Sequence, residues 1–307
     1  MRRRPITNVA ASVRQRLLNL AHARGEDFGF VLSRYAVERL LYRLGRSRYG
    51  EDFVLKGAQL FSLWLGSPHR TTRDLDLLRK ESAATPQLEE LFREICDFRP
   101  DVPDGIEFLA DTVRGQAIRE QASADGVRIM IGYRLAGARD RVQVDIGFGD
   151  TVVPAPEVAD LPTLLDSPPP RLRVYPREAV VAEKLKAMVT LGMLNSRMKD
   201  FYDIWLLAGH FDFEGKSLAT AIRATSQARG TELPVTPVAL TPEFAEDETK
   251  RTQWRAFVRR NRLEDAPEDL AEAVAAIAEF LQPVLAAMAG PRLAGMIWRA
   301  PGPWGSR

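Results

Sequence analysis

The stretch that decides the fold is residues 51–78, EDFVLKGAQLFSLWLGSPHRTTRDLDLL. Four local patterns follow one another in it: an apolar strand, a glycine turn, a short apolar helix and a returning strand, in segments 53–55, 56–57, 58–65 and 71–78. Gly66 and Pro68 end the helix, because Pro cannot continue it and Gly allows the chain to reverse. The pattern predicts that this stretch lies at the centre of an α/β core.

Two aspartates, Asp74 and Asp76, stand on the returning strand. Because side chains alternate along a strand, both point to one face, whereas Leu75 and Leu77 point to the other. Two carboxylates about 7 Å apart repel each other unless a cation or water separates them. Mg²⁺ is bound by one or two such carboxylates together with substrate phosphates. An Asp-x-Asp is also common on solvated strand ends, but the nearby Gly57 turn favours a phosphate site.

A third carboxylate, Asp145, lies in the stretch RVQVDIGFGD at residues 141–150. Apolar residues at 142, 144 and 146 alternate with Gln143 and Asp145, which predicts a strand with Asp145 on its polar face. An Asp-x-Asp on one strand and a single Asp on its neighbour is the arrangement of nucleotidyltransferases. Three such acids can hold two metal ions that clamp the attacking and leaving oxygens.

Two helices beyond the sheet carry further charged candidates. Pro176 opens a predicted helix at 177–191, in which Lys184 aligns with an apolar stripe. Burying a lysine is costly unless it meets negative charge, so its partner is a nucleotide phosphate or a carboxylate cluster, or else it reaches out at the edge of the core. Asp200 and Asp203 share one face of the next helix, 197–209, where surface ion pairs are the alternative interpretation.

These blocks together resemble a known family. The segments KGAQLFSLWLGSPHRTTRDLDLL, VQVDIGFGD and EKLKAMVTLGMLNSRMKDFYDIWLL look like the AbiEii / MenT-type nucleotidyltransferase toxins, within the DNA polymerase β-like superfamily. The resemblance covers residues 30–210. It implies an enzyme that transfers a nucleotide from NTP, with release of pyrophosphate, to an RNA 3′ end, in particular the tRNA acceptor stem. It also implies a cognate antitoxin as partner.

The resemblance also implies roles for residues. Asp74 and Asp76 would hold Mg²⁺ with Asp145 as a third metal ligand that also orients or activates the 3′-hydroxyl. Lys184 would neutralise the triphosphate, and Asp200 and Asp203 would take part as the KDxxD block. The predicted nucleotide-binding residues are Lys56, Gly57, Thr72, Arg73 and Lys184.

One position departs from the superfamily pattern. Many relatives carry Gly-Ser where this chain has Gly57-Ala58. The missing hydroxyl leaves Thr71 or Thr72 as candidates to contact the phosphates. On the predicted strand 71–78, Thr72 shares the face of Asp74 and Asp76, whereas Thr71 points away. A phosphate group added to Thr72 would then oppose the carboxylates and switch the enzyme off.

The whole chain sets broader limits. It has 307 residues, 45% hydrophobic residues and a net charge of only +2, which neither requires nor excludes a nucleic-acid partner. A single cysteine, Cys96, in an apolar helical pattern predicts a core thiol and a cytoplasmic setting. No signal peptide and no run long enough to span a membrane are expected.

The predicted organisation is α/β: an N-terminal helical region at 1–50, a nucleotidyltransferase core at 51–170 and a C-terminal helical domain at 171–307 that completes the active-site cleft. A hairpin of 127–135 with 141–148 is expected in a sheet of four or five strands. The C-terminal helices are predicted at 215–229, 242–261 and 266–289, followed by a disordered tail. The segment 151–170 is predicted to be a connection. Arginines at 34–48 and 251–262 are either solvated or RNA contacts.

Two rival functions remain open at the level of sequence. One is a nucleotidyltransferase that modifies a small molecule such as an antibiotic. The other is a non-catalytic regulator that binds a nucleotide or RNA, which the three acids and Lys184 disfavour.

Overall fold

The computed structural model describes residues 8–66, 70, 72, 74–119, 125–149, 152–228, 230–288, 293 and 295–306. The chain divides into two compact units. The first comprises Met1–Asp150 with Glu157–Val174, and the second comprises Thr151–Pro156 with Tyr175–Arg307.

The first unit is a mixed α/β structure. Its helices are α1 (Val9–Arg24), α2 (Phe28–Arg46), α3 (Gln59–Leu65) and α4 (Thr85–Asp97). Its strands are β1 (Phe53–Lys56), β2 (Asp74–Arg79), β3 (Glu107–Arg119), β4 (Asp125–Leu135), β5 (Ala138–Phe148), β6 (Glu157–Asp160) and β7 (Arg171–Val174). The α/β class predicted from the sequence is confirmed.

All seven of these strands form one sheet in the order β3-β4-β5-β2-β1-β7-β6. The pairs β5–β2 and β1–β7 are parallel, and the other pairs are antiparallel. The predicted hairpin is present as β4 and β5, but the sheet is larger than the predicted four or five strands. The segment 151–170, predicted to be only a connection, contributes β6, and β7 is an inner strand beside β1.

One face of this sheet is the hydrophobic core. Leu55, Leu77 and Ile146 follow one another across paired strands and are fully buried. On the same face Phe53 meets Phe92 of α4 edge to face, with ring centroids 6.2 Å apart. The opposite face carries the charged residues at 56, 74, 76 and 145, because neighbouring residues of a strand point to opposite sides.

The N-terminal helices form the predicted pair, but their arginines are not a free basic surface. Each meets an acidic partner within the chain: Arg34 with Glu26, Arg39 with Glu38, Arg43 with Asp104, Arg46 with Asp101 and Arg48 with Glu94. Arg39 and Arg43 are buried, so neither a solvated face nor an RNA contact describes them. Burial of a charged group requires such a partner, which explains the pairing.

The second unit is mainly helical. Its helices are α5 (Arg177–Leu191), α6 (Met198–His210), α7 (Gly215–Ala228), α8 (Pro242–Glu246), α9 (Glu248–Asn261) and α10 (Leu270–Ala287). A small antiparallel sheet adds β8 (Phe213–Glu214), β9 (Met296–Trp298) and β10 (Trp304–Ser306), in the order β10-β9-β8. The predicted helix 242–261 is two helices, since the Asp247 side chain caps a new one at the Lys250 amide.

The prediction of a disordered tail is wrong for residues 304–306. Trp304 stacks on Phe280 at a centroid distance of 5.9 Å, and its indole N–H donates to the Phe280 carbonyl oxygen over 2.8 Å. Trp298 lies edge to face against both rings. Aromatic packing therefore holds the strand that the polar, proline-rich sequence did not indicate.

The expectation that no segment is long enough for a membrane span also needs correction. Helix α10 has 18 residues and a mean hydropathy of 1.5, which meet the length and composition of a span. Phe280 and Ile277 on this helix are fully buried within the second unit. A core helix passes the same test of length and composition, so this feature alone is weak support for a membrane segment.

Candidate active site

Charged side chains meet in one line across the sheet of the first unit. The backbone pairs Lys56 with Asp76, Asp76 with Asp145, and Asp145 with Arg128. Residues directly opposite each other lie about 4.5–5.5 Å apart and share a face, and Asp74 joins that face two residues before Asp76. We call Asp74, Asp76 and Asp145 the carboxylate row. The structure thus brings together the three acids predicted from the sequence.

The predicted glycine turn lies directly against this row. Gly57 has φ of +79°, and a β-carbon placed on it would overlap the Asp76 carboxylate. Glycine is required there both for the backbone conformation and for the close approach. The Lys56 ammonium reaches across the sheet and lies 3.4 Å from the position that a β-carbon on Gly147 would take. A cation and a bare backbone turn therefore adjoin the carboxylates.

Asp145 is held by donors that the sequence analysis missed. Arg128 donates to its two carboxylate oxygens, Nε to Oδ1 and Nη2 to Oδ2, each over 2.8 Å. The Gln143 amide adds a hydrogen bond of 3.2 Å to Oδ2. Because the predicted hairpin turns at Ala136-Gly137, its register already places residue 128 opposite residue 145, so a signal for Arg128 was present in the sequence.

The row offers oxygen ligands of the kind that Mg²⁺ prefers. Within the described part of the chain, no three acidic, histidine or cysteine side chains come together as a metal site. Asp145 is engaged by Arg128, whereas Asp74 is exposed and Asp76 half-buried. Asp74 and Asp76 thus fit the site of two carboxylates that Mg²⁺ completes with phosphate oxygens, and a metal role for all three acids stays a prediction.

The threonine argument changes with the strand boundary. Strand β2 begins at Asp74, so the half-buried Thr72 precedes it and alternation along the strand does not fix the direction of its side chain. Thr71 and Arg73 lie outside the described residues. Contact of Thr72 or Arg73 with the nucleotide remains a prediction.

The remaining predicted site residues form a cluster in the second unit. The Lys184 ammonium of α5 donates to Asp200 Oδ1 over 2.8 Å and to Asp203 Oδ2 over 2.6 Å, both on α6. We call Lys184, Asp200 and Asp203 the buried triad. Asp200 and Asp203 are 0% exposed, so they do not lie on a solvated surface, although the ion pair of Asp200 with Arg197 that this alternative requires is present.

Local structure fixes the start of the helix that carries these aspartates. The buried Asn195 accepts the Arg197 backbone N–H over 2.8 Å, just before α6 begins at Met198. Arg197 Nε lies 2.7 Å from Asp200 Oδ2, one turn along. Two cations therefore compensate the Asp200 carboxylate, and the lysine on the apolar stripe of α5 has carboxylates as its partners.

Comparison with known proteins gives a family for this chain. Residues 39–277 match the family described as nucleotidyl transferase AbiEii toxin, type IV toxin–antitoxin system. No curated protein sequence matches the chain.

Two solved structures show a distant similarity to this chain, each with a TM-score below 0.5. A Helicobacter pylori protein named as a nucleotidyltransferase has 16% identity and a TM-score of 0.47, over 85% of this chain and 96% of its own. JHP933 from Helicobacter pylori has 17% identity and a TM-score of 0.46, over 82% of this chain and 89% of its own.

The family match spans most of the chain, including the carboxylate row, the Gly57 turn and the buried triad. Its activity agrees with a site of carboxylates beside cations, because nucleotidyl transfer depends on positioning and on charge stabilisation rather than on a protein nucleophile. The chain belongs to the AbiEii family of nucleotidyltransferase toxins from type IV toxin–antitoxin systems.

Proposed function

We propose that this nucleotidyltransferase adds nucleotides from NTP to an RNA 3′ end, with the tRNA acceptor stem as its target, and thereby stops translation. The observation that carries the proposal is the carboxylate row beside the Gly57 turn and Lys56. A 3′-hydroxyl attacking a phosphate needs a group that orients it and cations that offset the charge on the triphosphate. The row and its neighbours supply groups of both kinds.

In this proposal the residues divide the work. Bound through Asp74 and Asp76, Mg²⁺ would supply charge stabilisation on the phosphate oxygens. Asp145 orients the attacking 3′-hydroxyl by accepting its hydrogen bond. The backbone at Gly57 and the Lys56 ammonium bind the phosphates, together with Thr72 and Arg73. Lys184 is paired with Asp200 and Asp203 within the second unit, so its predicted role at the triphosphate stays a prediction.

An exposed basic helix supports an RNA acceptor. Arginines 255, 259, 260 and 262 are exposed on α9 and at its C-terminal cap. Arg255 and Arg259 lie one turn apart on the same face of α9, and guanidinium groups placed in this way suit a phosphate backbone. Trp254 of the same helix is buried and donates to the Pro267 carbonyl oxygen over 2.9 Å, so it is not available to stack on a base.

Membership of this family implies an antitoxin as partner and an NTP as substrate. We infer a cytoplasmic enzyme, because tRNA and NTP occur there. The state of Cys96 agrees with a reducing compartment: it is buried, and burial raises the pKa of its thiol to about 12, so it is a core thiol.

The direct test incubates the purified chain with total tRNA, Mg²⁺ and each of the four labelled NTPs in turn. We expect label at the 3′ end of tRNA from one or more of the NTPs, and loss of aminoacylation in the same sample. The matched control is Asp76→Asn, which should transfer no label. Label on no RNA with any NTP would contradict the proposal.

A second measurement separates RNA from a small-molecule acceptor. Binding of RNA to the chain should weaken steeply with salt, because each phosphate contact releases counterions. Replacing Arg255 and Arg259 by Gln should reduce the slope of log affinity against log salt by roughly one to two. An unchanged slope in the double variant would show that α9 does not contact the RNA.

A further inference from the structure

The Arg128–Asp145 pair is more exposed than the buried two-point arginine–carboxylate pair of the first unit. Arg43 and Asp104 form such a pair with side chains only 4% exposed on both sides. Arg128 is 38% exposed and Asp145 16%. A buried pair cannot open without stranding a charge, whereas a half-exposed guanidinium can move into water.

The bonds to Asp145 restrict what else it can bind. An ionised carboxylate has about four acceptor positions, and Arg128 and Gln143 occupy three of them. Little acceptor capacity is left for a hydroxyl group or for a divalent cation. The pair therefore describes a state in which Asp145 is closed to other partners.

Arg128 is also coupled to the whole carboxylate row. The hydrogen bond to Asp145 is the largest cause that raises the pKa of the Arg128 guanidinium above its usual range; partial burial opposes this, and the charges of Asp145, Asp74 and Asp76 add to it. Three carboxylates on one sheet face repel each other, and Arg128 offsets that repulsion. The Arg128 guanidinium thus supplies positive charge at the row, as a bound metal cation would.

We propose that Arg128 is a positioning residue. Its guanidinium acts as an internal counter-cation that holds Asp145, and it releases Asp145 when cations and nucleotide bind at the row. The inference rests on the proposed function, since it assigns the control of that site. Once released, the guanidinium has a replacement partner in the phosphate oxygens of the nucleotide, with which arginine also forms paired hydrogen bonds. A divalent cation that binds the row must then compete with Arg128 for Asp145, and this competition lowers the affinity of the row for the cation.

A matched control lies on the same strand. Arg134 of β4 donates from Nε and Nη2 to the two oxygens of Glu107, each over 2.6 Å, and the pair is about half exposed. Arg134→Gln and Arg128→Gln each remove one positive charge and one two-point pair from β4. Of these two variants, only Arg128→Gln removes a partner of Asp145.

The experiment measures the binding of Mn²⁺ alone to the full-length chain. Binding is monitored by electron paramagnetic resonance as the loss of the free-ion signal. Arg128→Gln should bind Mn²⁺ about tenfold or more tightly than the wild type, because a competing cation is gone. Arg134→Gln should match the wild type. Arg128→Lys, which keeps the charge, should restore affinity to within about threefold of the wild type.

Equal Mn²⁺ affinity in the wild type and Arg128→Gln would overturn the inference, as would no binding by either. If Arg128→Gln fails to fold, Arg128→Met, which is also neutral and keeps an apolar stem of similar length, takes its place: it should bind Mn²⁺ about tenfold or more tightly than the wild type, and equal affinity would overturn the inference. Transfer to tRNA is assayed in parallel with the wild type. If the wild type transfers nucleotide to tRNA but Arg128→Gln has unchanged Mn²⁺ affinity, the role of Arg128 is contradicted and the proposed function is not. If Arg128→Gln binds Mn²⁺ more tightly but the wild type transfers no nucleotide, the proposed function is contradicted and the role of Arg128 is not.

Discussion

The carboxylate row and the buried triad use the same residue types for different ends. In the row, Asp74 is exposed, Asp76 is half-buried and Asp145 is held by a half-exposed arginine. In the triad, Asp200 and Asp203 are fully buried and Lys184 bonds to both.

Because the two groups differ in burial, a mutation in the triad should affect mainly stability and a mutation in the row mainly nucleotide transfer. Removing a partner of a buried charge leaves an uncompensated charge in a medium of low dielectric constant, which lowers stability. Removing an acid from an open face relieves repulsion and costs little stability, but it removes a ligand for the substrate. Mutations in the row should therefore affect transfer, and mutations in the triad should affect folding first.

The largest effect is expected in the row. Asp76→Asn should reduce nucleotide transfer by at least about a thousandfold, because a lost ligand for charge stabilisation is worth several kcal/mol. Its free energy of unfolding should stay within about 1 kcal/mol of that of the wild type, because the side chain is half exposed. The assay is transfer of labelled NTP to tRNA, with urea unfolding on the same sample.

The exposed Asp140 of β5 provides a control for this change. Asp140→Asn removes a carboxylate from the same sheet and should leave transfer within about twofold of the wild type. Near-normal transfer by Asp76→Asn would remove the row from the active site.

In the triad, we expect a mutation to have an effect of comparable size, but on stability instead of transfer. Lys184→Met should lower the free energy of unfolding by about 3–5 kcal/mol, because two buried carboxylates lose their lysine. Urea unfolding measures this, and Lys216→Met, at an exposed position of α7, is the control. A stable Lys184→Met variant with lost transfer would break the comparison and place Lys184 with the row in the chemistry.

A third acidic residue, Glu38, sharpens the comparison through pH. Its side chain is 8% exposed, Oε2 accepts the Leu164 N–H over 2.7 Å, and Oε1 lies 2.8 Å from Arg39 Nη2. Burial raises its pKa to about 7 from 4.5, against the opposing charge of Arg39. The folded chain thus binds this proton more tightly than the unfolded chain.

The stability that Glu38 contributes is therefore fully present below pH 4.5 and is lost as the pH rises to about 7. At about 1.4 kcal/mol per pKa unit, the loss is on the order of 3 kcal/mol. Glu38→Gln should flatten the stability profile in this window, because the group that titrates is gone. The exposed Glu94→Gln should keep the wild-type slope; an unchanged slope in Glu38→Gln would contradict the assignment.

The smallest effect tests the closeness of the turn to the row. Gly57 and Gly66 have φ of +79° and +74°, but a β-carbon would collide with Asp76 only at Gly57, and at Gly66 it meets no atom within 4 Å. Both alanine variants should lose about 1 kcal/mol or more from backbone strain. Gly57→Ala alone should also lose transfer, by roughly tenfold to a hundredfold, since Asp76 is displaced. Equal transfer by the two variants would contradict a role for the turn.

The sequence by itself determined the elements that depend on local order. Alternation predicted strands β2 and β5 and the faces of Asp74, Asp76 and Asp145, and the turn at Gly137 predicted the hairpin of β4 and β5. Helices α1 to α4 follow from apolar periodicity and from caps such as Asn8 and Asp27. These features are set by neighbours within a few residues along the chain, so they can be read without the fold.

Only the tertiary structure decided which charges meet. That Lys184 binds Asp200 and Asp203, and that these acids are buried, depends on how α5 packs against α6. The strands β7 and β10 depend on partners far away in the chain, and no local pattern announces them. Electrostatic and aromatic contacts act through space, because their energy depends on distance and burial, and a linear sequence specifies neither until the chain is folded.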